Sequence, residues 1–303
     1  MTSRLRIGTR GSQLALWQAN TVMNRLGDAG YRAEIVTIKT TGDKRTDVPL
    51  ASVGGKGLFI KELEEALHRG EVDLAVHSLK DVPSIIPDDL VLAGFLERGD
   101  PRDAWIHLDR LPIEELPPGA TIGTSAPRRR AQLRALHPHL KLAEMRGNVD
   151  TRINKLRAGL YDGAILAAAG LTRLGRESEI VSFFDVDRMT PAAGQGIVAI
   201  ETLKTNERAI DAASSISHGL TARAAICERG VLQKFGELLD CYSAVAVHAT
   251  IGDVTAIRAF FGELDGAEAV RVFHTGTDDN AVVNAVYEEL VARGAIDLVR
   301  AKG

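Results

Sequence analysis

A lysine and an aspartate stand next to each other where an apolar segment of the chain ends. The segment from Val72 to Val76 is predicted to be a β-strand, and Lys80 and Asp81 follow it shortly before Pro83. Ligands of open α/β sheets bind beyond the carboxyl ends of the strands. A cation and a carboxylate at such an end could stabilise a cationic intermediate and transfer a proton. For this pair alone, the alternative is a solvated turn at the end of a strand.

Arginines occupy several predicted junctions between a strand and the following helix. The start of a helix offers free N–H groups and a positive dipole end, and the guanidinium fork matches carboxylates and phosphates. Several such junctions facing one cleft would bind a ligand with many anionic groups. The alternative is that each arginine is a solvated or salt-bridged surface residue. These residues are Arg10, Arg128, Arg129, Arg130, Arg146 and Arg152.

Two glycine-rich segments could approach a ligand closely. Gly42-Asp43-Lys44 and Gly54-Gly55-Lys56-Gly57 lie in one polar loop, which lacks the GxxxxGK[ST] spacing of a phosphate-binding loop. We interpret it as a mobile loop over the substrate, with Lys56 as an anion contact; a surface loop without a ligand is the alternative. In Pro191-Ala192-Ala193-Gly194-Gln195-Gly196, two glycines beside one amide would allow close approach of the backbone, although this signal alone is weak.

The two cysteines, Cys227 and Cys241, have different predicted surroundings. Cys227 falls within a predicted helix and is expected to be a small buried residue. Cys241 lies at a junction between a loop and a strand, where a thiol could be a nucleophile or an attachment point, unless it too is simply buried. No Cys/His spacing typical of a metal site is present, and we expect no metal. His137-Pro138-His139 is interpreted as a surface turn at the end of a helix.

The composition is that of an ordinary globular protein. The 303 residues are 45% hydrophobic and 25% charged, with a net charge of −3, and the length suggests two or three domains. Nothing in this balance favours nucleic acid or a membrane surface as a partner. The chain has no apolar run of membrane-spanning length and no signal-peptide core at its start, so we expect a cytoplasmic location. We also expect a monomer.

Strands and helices alternate along most of the chain, which predicts an α/β fold. The sequence Ile7-Gly8-Thr9 recurs as Ile122-Gly123-Thr124, and the segment 70–76 is echoed at 159–165. This echo suggests two related halves with a cleft between them, although chance similarity is the alternative. The polar segment 97–103 is interpreted as a connector. After Gly219 the pattern changes to helix, three antiparallel strands and a closing helix, which predicts a small α+β domain.

Together these segments resemble the porphobilinogen deaminase family. The matching stretches occur in order over about the first two thirds of the chain, and their combination is highly specific. They are Ile7 to Ser12 with Ala15-Leu16-Trp17-Gln18, Val53 to Phe59, Ala75 to Pro83, Asp100 to Ala104, Gly123 to Arg129, Arg146 to Arg152, Ala169 to Gly175, and Gly194-Gln195-Gly196.

The resemblance implies two lobes like those of periplasmic binding proteins and a small C-terminal α+β domain. The expected first domain is 1–98 with 199–217, the second is 103–193, and the third is 220–303. The implied reaction is the head-to-tail condensation of four porphobilinogen units into a linear tetrapyrrole, hydroxymethylbilane, in heme biosynthesis. The enzyme would be a transferase with a dipyrromethane cofactor in thioether linkage to Cys241. Each pyrrole carries an acetate and a propionate, so a growing chain accumulates carboxylates that arginine forks could bind.

The resemblance also implies roles for individual residues. Asp81 would be catalytic, because it matches the aspartate that stabilises the azafulvenium cation left when ammonia departs. The other residues would contact the cofactor or the substrate. For the cofactor they are Cys241, Lys80, Ser78, Thr124, Ser125, Arg128, Arg129, Arg146 and Gly147, and for the substrate they are Arg10, Ser12, Gln18, Lys56, Arg152, Arg173 and Gln195.

The sequence departs from the family pattern at three places. Ser52 replaces a second lysine of the glycine-rich loop, and Ala126 replaces a serine. The glycine-rich turn at the attachment cysteine is here Leu239-Asp240-Cys241-Tyr242-Ser243, with two extra residues before the cysteine. The alternative function is a non-catalytic two-lobed binding protein for an anionic metabolite. A phosphate-transferring enzyme would need a metal site or phosphate loop that the sequence does not show.

Overall fold

The computed structural model describes residues 4–39, 60–240 and 242–300. Contacts between residues divide the chain into two compact units. The first comprises Met1–Gly99 and Gly196–Arg223, and the second comprises Asp100–Gln195 and Ala224–Gly303. Each unit is therefore assembled from two stretches of sequence that are far apart along the chain. The predicted Lys56 and Cys241 sites lie outside the described residues.

Thirteen strands and nine α-helices are found in the described residues. The strands are β1 Leu5–Thr9, β2 Ala33–Thr37, β3 Leu74–Ser78, β4 Leu90–Phe95, β5 Asp103–Ile106, β6 Thr121–Gly123, β7 Lys141–Ala143, β8 Gly163–Ala167, β9 Ser182–Phe183, β10 Val198–Leu203, β11 Ala244–Ile251, β12 Thr255–Gly262 and β13 Ala269–Gly276. The helices are α1 Gln13–Asp28, α2 Lys61–His68, α3 Pro127–Leu136, α4 Val149–Arg157, α5 Ala168–Arg173, α6 Glu207–Ser215, α7 Gly219–Phe235, α8 Asp279–Ala292 and α9 Ala295–Arg300.

The first unit is built around a five-stranded sheet in the order β2-β1-β3-β10-β4. β1, β2 and β3 are parallel, whereas β10 runs antiparallel between β3 and β4. Helix α1 buries Ala15, Ala19, Val22 and Leu26 because their spacing places them on one face. The central strand β3 is apolar along most of its length, as expected for a strand covered on both faces.

The second unit contains a five-stranded sheet in the order β7-β6-β8-β5-β9. β6, β7 and β8 are parallel, and β5 runs antiparallel between β8 and β9. The buried side chain of Trp105 on β5 packs in one of the two apolar clusters of this sheet. The carboxyl ends of β6, β7 and β8 lie at one edge, where helices α3, α4 and α5 begin.

The two five-stranded sheets have the same strand order, which agrees with the repeat in the sequence. In this correspondence β1 matches β6, and β3 matches β8. The repeated segments Ile7-Gly8-Thr9 and Ile122-Gly123-Thr124 follow this match, as do 70–76 and 159–165. The strand in the fourth position of each sheet, β10 in the first and β5 in the second, was not predicted. β5 follows the first boundary between the units along the chain, and β10 follows the second.

The C-terminal part of the second unit is an antiparallel sheet in the order β11-β12-β13. Helices α8 and α9 pack on this sheet, and their apolar residues form one core with residues of α7. The order of its elements agrees with the predicted pattern of a helix, three antiparallel strands and a closing helix. Two five-stranded lobes and this smaller sheet confirm the predicted α/β fold class. The division into three domains remains a prediction.

Two details of the sequence analysis were wrong. The strand expected at Val72 to Val76 is Leu74–Ser78, so it includes His77 and Ser78. The polar connector 97–103 already contains the first residue of β5, Asp103. In the sequence, Asp103 looks like a loop residue because the partners of its carboxylate come from distant segments. Among the described residues, no helix is long and apolar enough to cross a membrane.

Candidate active site

A small cavity of about 80 Å³ in the first unit brings five of the predicted site residues together. It lies where β1 leads into α1 and where β3 ends, so its walls come from the carboxyl ends of two adjacent parallel strands. This is the position at which open α/β sheets bind ligands. The predicted residues in its lining are Arg10, Ser12, Gln18, Ser78 and Asp81.

The start of helix α1 forms one wall of this cavity. Ser12 caps the helix, because its side chain accepts a hydrogen bond from the backbone N–H of Ala15 at 3.3 Å. One and a half turns later, the buried Gln18 donates from Nε2 to Ser78 Oγ at 2.8 Å. The helix is thereby tied to the end of β3, and two predicted contact residues hold each other in place.

Asp81 lies on a single 3₁₀ turn, Leu79–Asp81, that directly follows β3. Leu79 is buried and its N–H donates to Ile197 O at 3.0 Å, while Val82 N–H donates back to Leu79 O at 3.0 Å. These bonds fix the turn, and Asp81 lines the cavity as a solvent-accessible carboxylate. Lys80 on the same turn is exposed. Asp81 is therefore neither in a sealed core nor remote from an arginine of the predicted set.

A buried histidine in the wall of the cavity pairs with a buried glutamate behind it, and this pair was not identified from the sequence. His77, the residue before Ser78, lines the cavity, and its Nε2 lies 2.9 Å from Oε2 of Glu201 on β10. Burial raises the pKa of the nearby Glu64, and the charge of Glu201 raises it further. The only sequence signal was a histidine and a glutamate within mostly apolar strands.

In the second unit, Thr124 and Ser125 connect β6 to α3. Thr124 N–H donates to Ala143 O at 2.9 Å, and Ser125 Oγ donates to Met145 O at 2.7 Å. Pro127 occupies the first turn of α3, where its missing N–H is not needed. These hydroxyls belong to the edge of the sheet at which α3, α4 and α5 begin.

The next junction, between β7 and α4, depends on Gly147. This residue has φ +112°, and a Cβ there would lie 2.5 Å from Thr151 Cγ2, so a side chain would be both strained and in collision. Asn148 caps α4 by accepting from Thr151 N–H at 2.9 Å. Arg146 pairs with Glu144 at 2.5 Å, and Arg152 donates from Nε to Gly147 O at 2.8 Å. Arg146, Gly147 and Arg152 thus lie at one junction, as predicted.

Arg128 and Arg129 have a partner that the sequence analysis missed. Both are buried, and both donate to the fully buried carboxylate of Asp103, with shortest N–O distances of 2.6 and 2.7 Å. Gln195 Nε2 also donates to Asp103 at 2.9 Å, and Gln195 Oε1 accepts from Arg128 at 2.9 Å. Burial acts to raise the pKa of Asp103, but the two guanidinium groups outweigh it and hold that pKa far below its usual range. The two positive charges therefore share one internal negative charge.

Arg173 is the last residue of α5, the helix that directly follows β8. Burial lowers the pKa of its guanidinium to about 10, so it remains a cation at neutral pH. Most of the predicted residues that the structure describes thus fall into two groups, one around the cavity of the first unit and one on the segments that follow β6, β7 and β8 in the second. Around the undescribed position 241, Asp240 Oδ1 accepts from Tyr242 N–H and from Ser243 Oγ, each at 3.0 Å.

Comparison with known proteins identifies the family. The family model described as "Porphobilinogen deaminase, dipyromethane cofactor binding domain" matches residues 5–211. A porphobilinogen deaminase from Trichlorobacter lovleyi is 48% identical over 282 residues, which cover 92% of this chain and 89% of that protein. The Geobacter sulfurreducens porphobilinogen deaminase is 45% identical and covers 98% of this chain and 94% of its own length. The chain belongs to the porphobilinogen deaminase family.

Solved structures of binding proteins also show similarity. The methionine-binding protein MetQ is 15% identical, with a TM-score of 0.45, and the match covers 70% of this chain and 89% of that protein. A periplasmic substrate-binding protein of an ABC transporter from Coxiella burnetii is 14% identical, with a TM-score of 0.44, and the match covers 74% and 96%.

Proposed function

We propose that this protein condenses four porphobilinogen molecules head to tail into hydroxymethylbilane and releases ammonia from each. One observation carries the proposal within the family assignment. Asp81 lines the same small cavity as Arg10, Ser12, Gln18 and Ser78. A carboxylate beside a guanidinium suits a substrate that carries acidic groups and becomes cationic during the reaction.

Asp81 would act on the substrate as an electrostatic and proton-transferring group. When ammonia leaves, positive charge develops on the pyrrole, and a fixed carboxylate nearby stabilises it. The same carboxylate could hold a proton between the leaving amine and the pyrrole nitrogen. Arg10 would bind a substrate carboxylate through its guanidinium fork. Ser12, Gln18 and Ser78 would supply neutral hydrogen-bonding groups that orient the ring.

The helix starts of the second unit suit a dipyrromethane cofactor, whose two rings carry four carboxylates. The set contains guanidinium groups and the hydroxyls of Thr124 and Ser125. When bound, dipyrromethane supplies the carbon nucleophile to which the first substrate unit is added. Arg146, Arg152 and Arg173 would hold its carboxylates and those of the growing chain, with Gly147 allowing close approach. Arg128 and Arg129 would contribute the net positive charge that remains after they pair with Asp103.

We further propose that the cofactor is attached through a thioether to Cys241, that Lys80 binds cofactor carboxylates, and that Lys56 and Gln195 contact substrate. The enzyme would then be a transferase that acts as a cytoplasmic monomer. These points rest on the resemblance to the family, because residues 56 and 241 lie outside the described part of the chain. The alternative of a non-catalytic binding protein is not favoured by the family match.

The activity is tested by incubating the purified protein with porphobilinogen and measuring tetrapyrrole formation. We expect turnover in the wild type, none in Asp81→Asn, and normal turnover in Asp88→Asn, a control that alters an exposed aspartate seven residues further on. Normal turnover in Asp81→Asn would remove Asp81 from the mechanism. A wild type that consumes no porphobilinogen would contradict the proposed function.

Attachment of the cofactor is tested by the intact mass of the denatured protein. We expect an adduct of two pyrrole units that gives a colour with Ehrlich's reagent. The adduct should be absent from Cys241→Ala and present in Cys227→Ala, because Cys227 is a buried residue of the α7 core. An active wild type without an adduct would contradict the proposed linkage but leave the reaction in place.

A further inference from the structure

His77 and Glu201 form a buried polar pair between β3 and β10, where two apolar side chains would be enough to pack the strands together. In the register of β3 and β10, His77 lies opposite Ala199, and Glu201 is two residues further along β10. The two side chains therefore share one face of the sheet and meet diagonally. They are 5% and 0% exposed, and His77 Nε2 lies 2.9 Å from Glu201 Oε2.

The carboxylate of Glu201 depends on this one contact. Its other oxygen, Oε1, is buried and has no hydrogen-bond partner among residues 4–39, 60–240 and 242–300. A buried carboxylate is costly unless it is paired, and a buried ion pair is often less stabilising than apolar residues of similar size. A gain in folding stability is therefore a poor explanation for the presence of this pair. Such pairs are better understood as devices that hold one geometry.

The position of the pair indicates which geometry it holds. His77 lines the cavity, Ser78 follows it directly, and Asp81 is four residues further along the chain. The end of β3 is fixed on one side by Gln18, which donates to Ser78. On the opposite side, toward β10, His77 and Glu201 supply the side-chain contact that accompanies the backbone bond of Leu79 N–H to Ile197 O.

We propose that His77, held by Glu201, is a positioning residue that sets the place of Asp81 in the cavity. The imidazole does not contact the reacting atoms. It holds the end of β3 against β10, so that the carboxylate of Asp81 on the following turn meets the developing positive charge. Loss of the contact between His77 and Glu201 would shift the turn that carries Asp81 by a small distance. Displacement of a reacting group by about 1 Å can cost about 10²-fold in rate. This inference rests on the proposed function.

The test separates positioning from stability by replacing both members of the pair. In His77→Phe with Glu201→Met, no buried charge remains, so we expect a melting temperature near that of the wild type. We expect kcat for tetrapyrrole formation to fall by about 10²-fold, with little change in KM for porphobilinogen. If the pair served stability alone, the double variant would have a wild-type kcat whenever its melting temperature is that of the wild type. Wild-type kcat in this folded variant, or a rise in KM alone, would overturn the proposal.

Two single variants keep the test decisive if the double variant does not fold. Glu201→Asp keeps the charge but withdraws the carboxylate from His77, and we expect it to lower kcat. Glu201→Gln keeps an oxygen acceptor at the same reach, and we expect it to retain most of the wild-type kcat. Wild-type kcat in Glu201→Asp would overturn the proposal, as would a Glu201→Gln enzyme as slow as Glu201→Asp.

The matched control changes the next residue of β10. Thr202 is buried and donates from Oγ1 to Asp73 O at 2.7 Å, and it does not line the cavity. Thr202→Val should lower stability and leave kcat unchanged. A fall in kcat like that of the pair variants would show general damage to β10 and overturn the positioning role. A wild type that makes no tetrapyrrole would overturn both this inference and the proposed function.

Discussion

Removal of the negative charge of Asp103 should strongly destabilise the second unit. The carboxylate accepts from both nitrogens of the Arg128 fork, from two nitrogens of Arg129 and from Gln195. Replacement by asparagine keeps one acceptor oxygen but places an N–H₂ group beside a guanidinium. It also leaves two buried cations without their counter-charge.

The expected cost follows from this loss of charge. Breaking a buried ion pair by removing one partner costs about 3–5 kcal/mol. In a folding unit of this size, each kcal/mol lowers the melting temperature by about 2–4 °C. Asp103→Asn should therefore melt about 6–20 °C below the wild type. Chemical denaturation followed by far-UV circular dichroism measures the same loss as a free energy of unfolding.

The pH dependence has a definite sign. The folded-state pKa of Asp103 lies well below the ordinary value, so its contribution to stability is fully present above that ordinary value and is lost progressively as the pH falls from there to the folded-state pKa. Between pH 5 and 8 the difference in unfolding free energy between the wild type and Asp103→Asn should thus stay constant. The difference should narrow steadily as the pH is lowered below about 5.

A neighbouring aspartate provides the control. Asp100 pairs with Arg102 at 2.6 Å, but both side chains are partly exposed. Asp100→Asn should therefore cost at most about 1 kcal/mol. If Asp103→Asn costs no more than Asp100→Asn, the buried carboxylate does not compensate the two guanidinium groups and the reasoning is refuted.

Three further substitutions have expected outcomes. Gly147→Ala should destabilise the protein by more than the 1–2 kcal/mol or so of a left-handed residue, since its Cβ would also collide with Thr151; thermal melting of Gly159→Ala, at φ +70° with open space, gives the conformational cost alone. Ser12→Ala should cost about 1 kcal/mol through loss of the cap of α1, and an unchanged melting temperature would contradict that role. The bond to Asp89 raises the pKa of the His68 imidazole. The stability difference between the wild type and His68→Gln should therefore be largest below about pH 6.5 and disappear as the pH rises through the raised pKa; a difference that grows with pH would contradict this.

Much of the fold could be predicted because its signals are local. The apolar spacing of α1, the cap at Ser12 and the alternation of β11, β12 and β13 depend on residues close together in the chain. The junction residues were also predictable. Arg10 follows β1 and Asp81 follows β3, and adjacent parallel strands bring their carboxyl ends to the same edge of the sheet.

The buried carboxylates of Asp103 and Glu201 were not predictable in the same way. Asp103 belongs to β5 and Glu201 to β10, and each strand is inserted antiparallel into a sheet whose other members lie elsewhere in the sequence. The partner of Glu201, His77, is 124 positions away, and the partners of Asp103 are 25, 26 and 92 positions away. No local pattern specifies such a pairing.

The order of residue types along the chain was therefore enough to establish the α/β class, the alternation of strands and helices and the residues at the strand ends. The insertion of β5 and β10, and with it the environment of Arg128, Arg129 and His77, arose only in the folded chain. The physical reason is that hydrophobic periodicity reports which face of an element is buried, whereas the charge state and hydrogen bonding of a buried polar group depend on which distant segment packs against it.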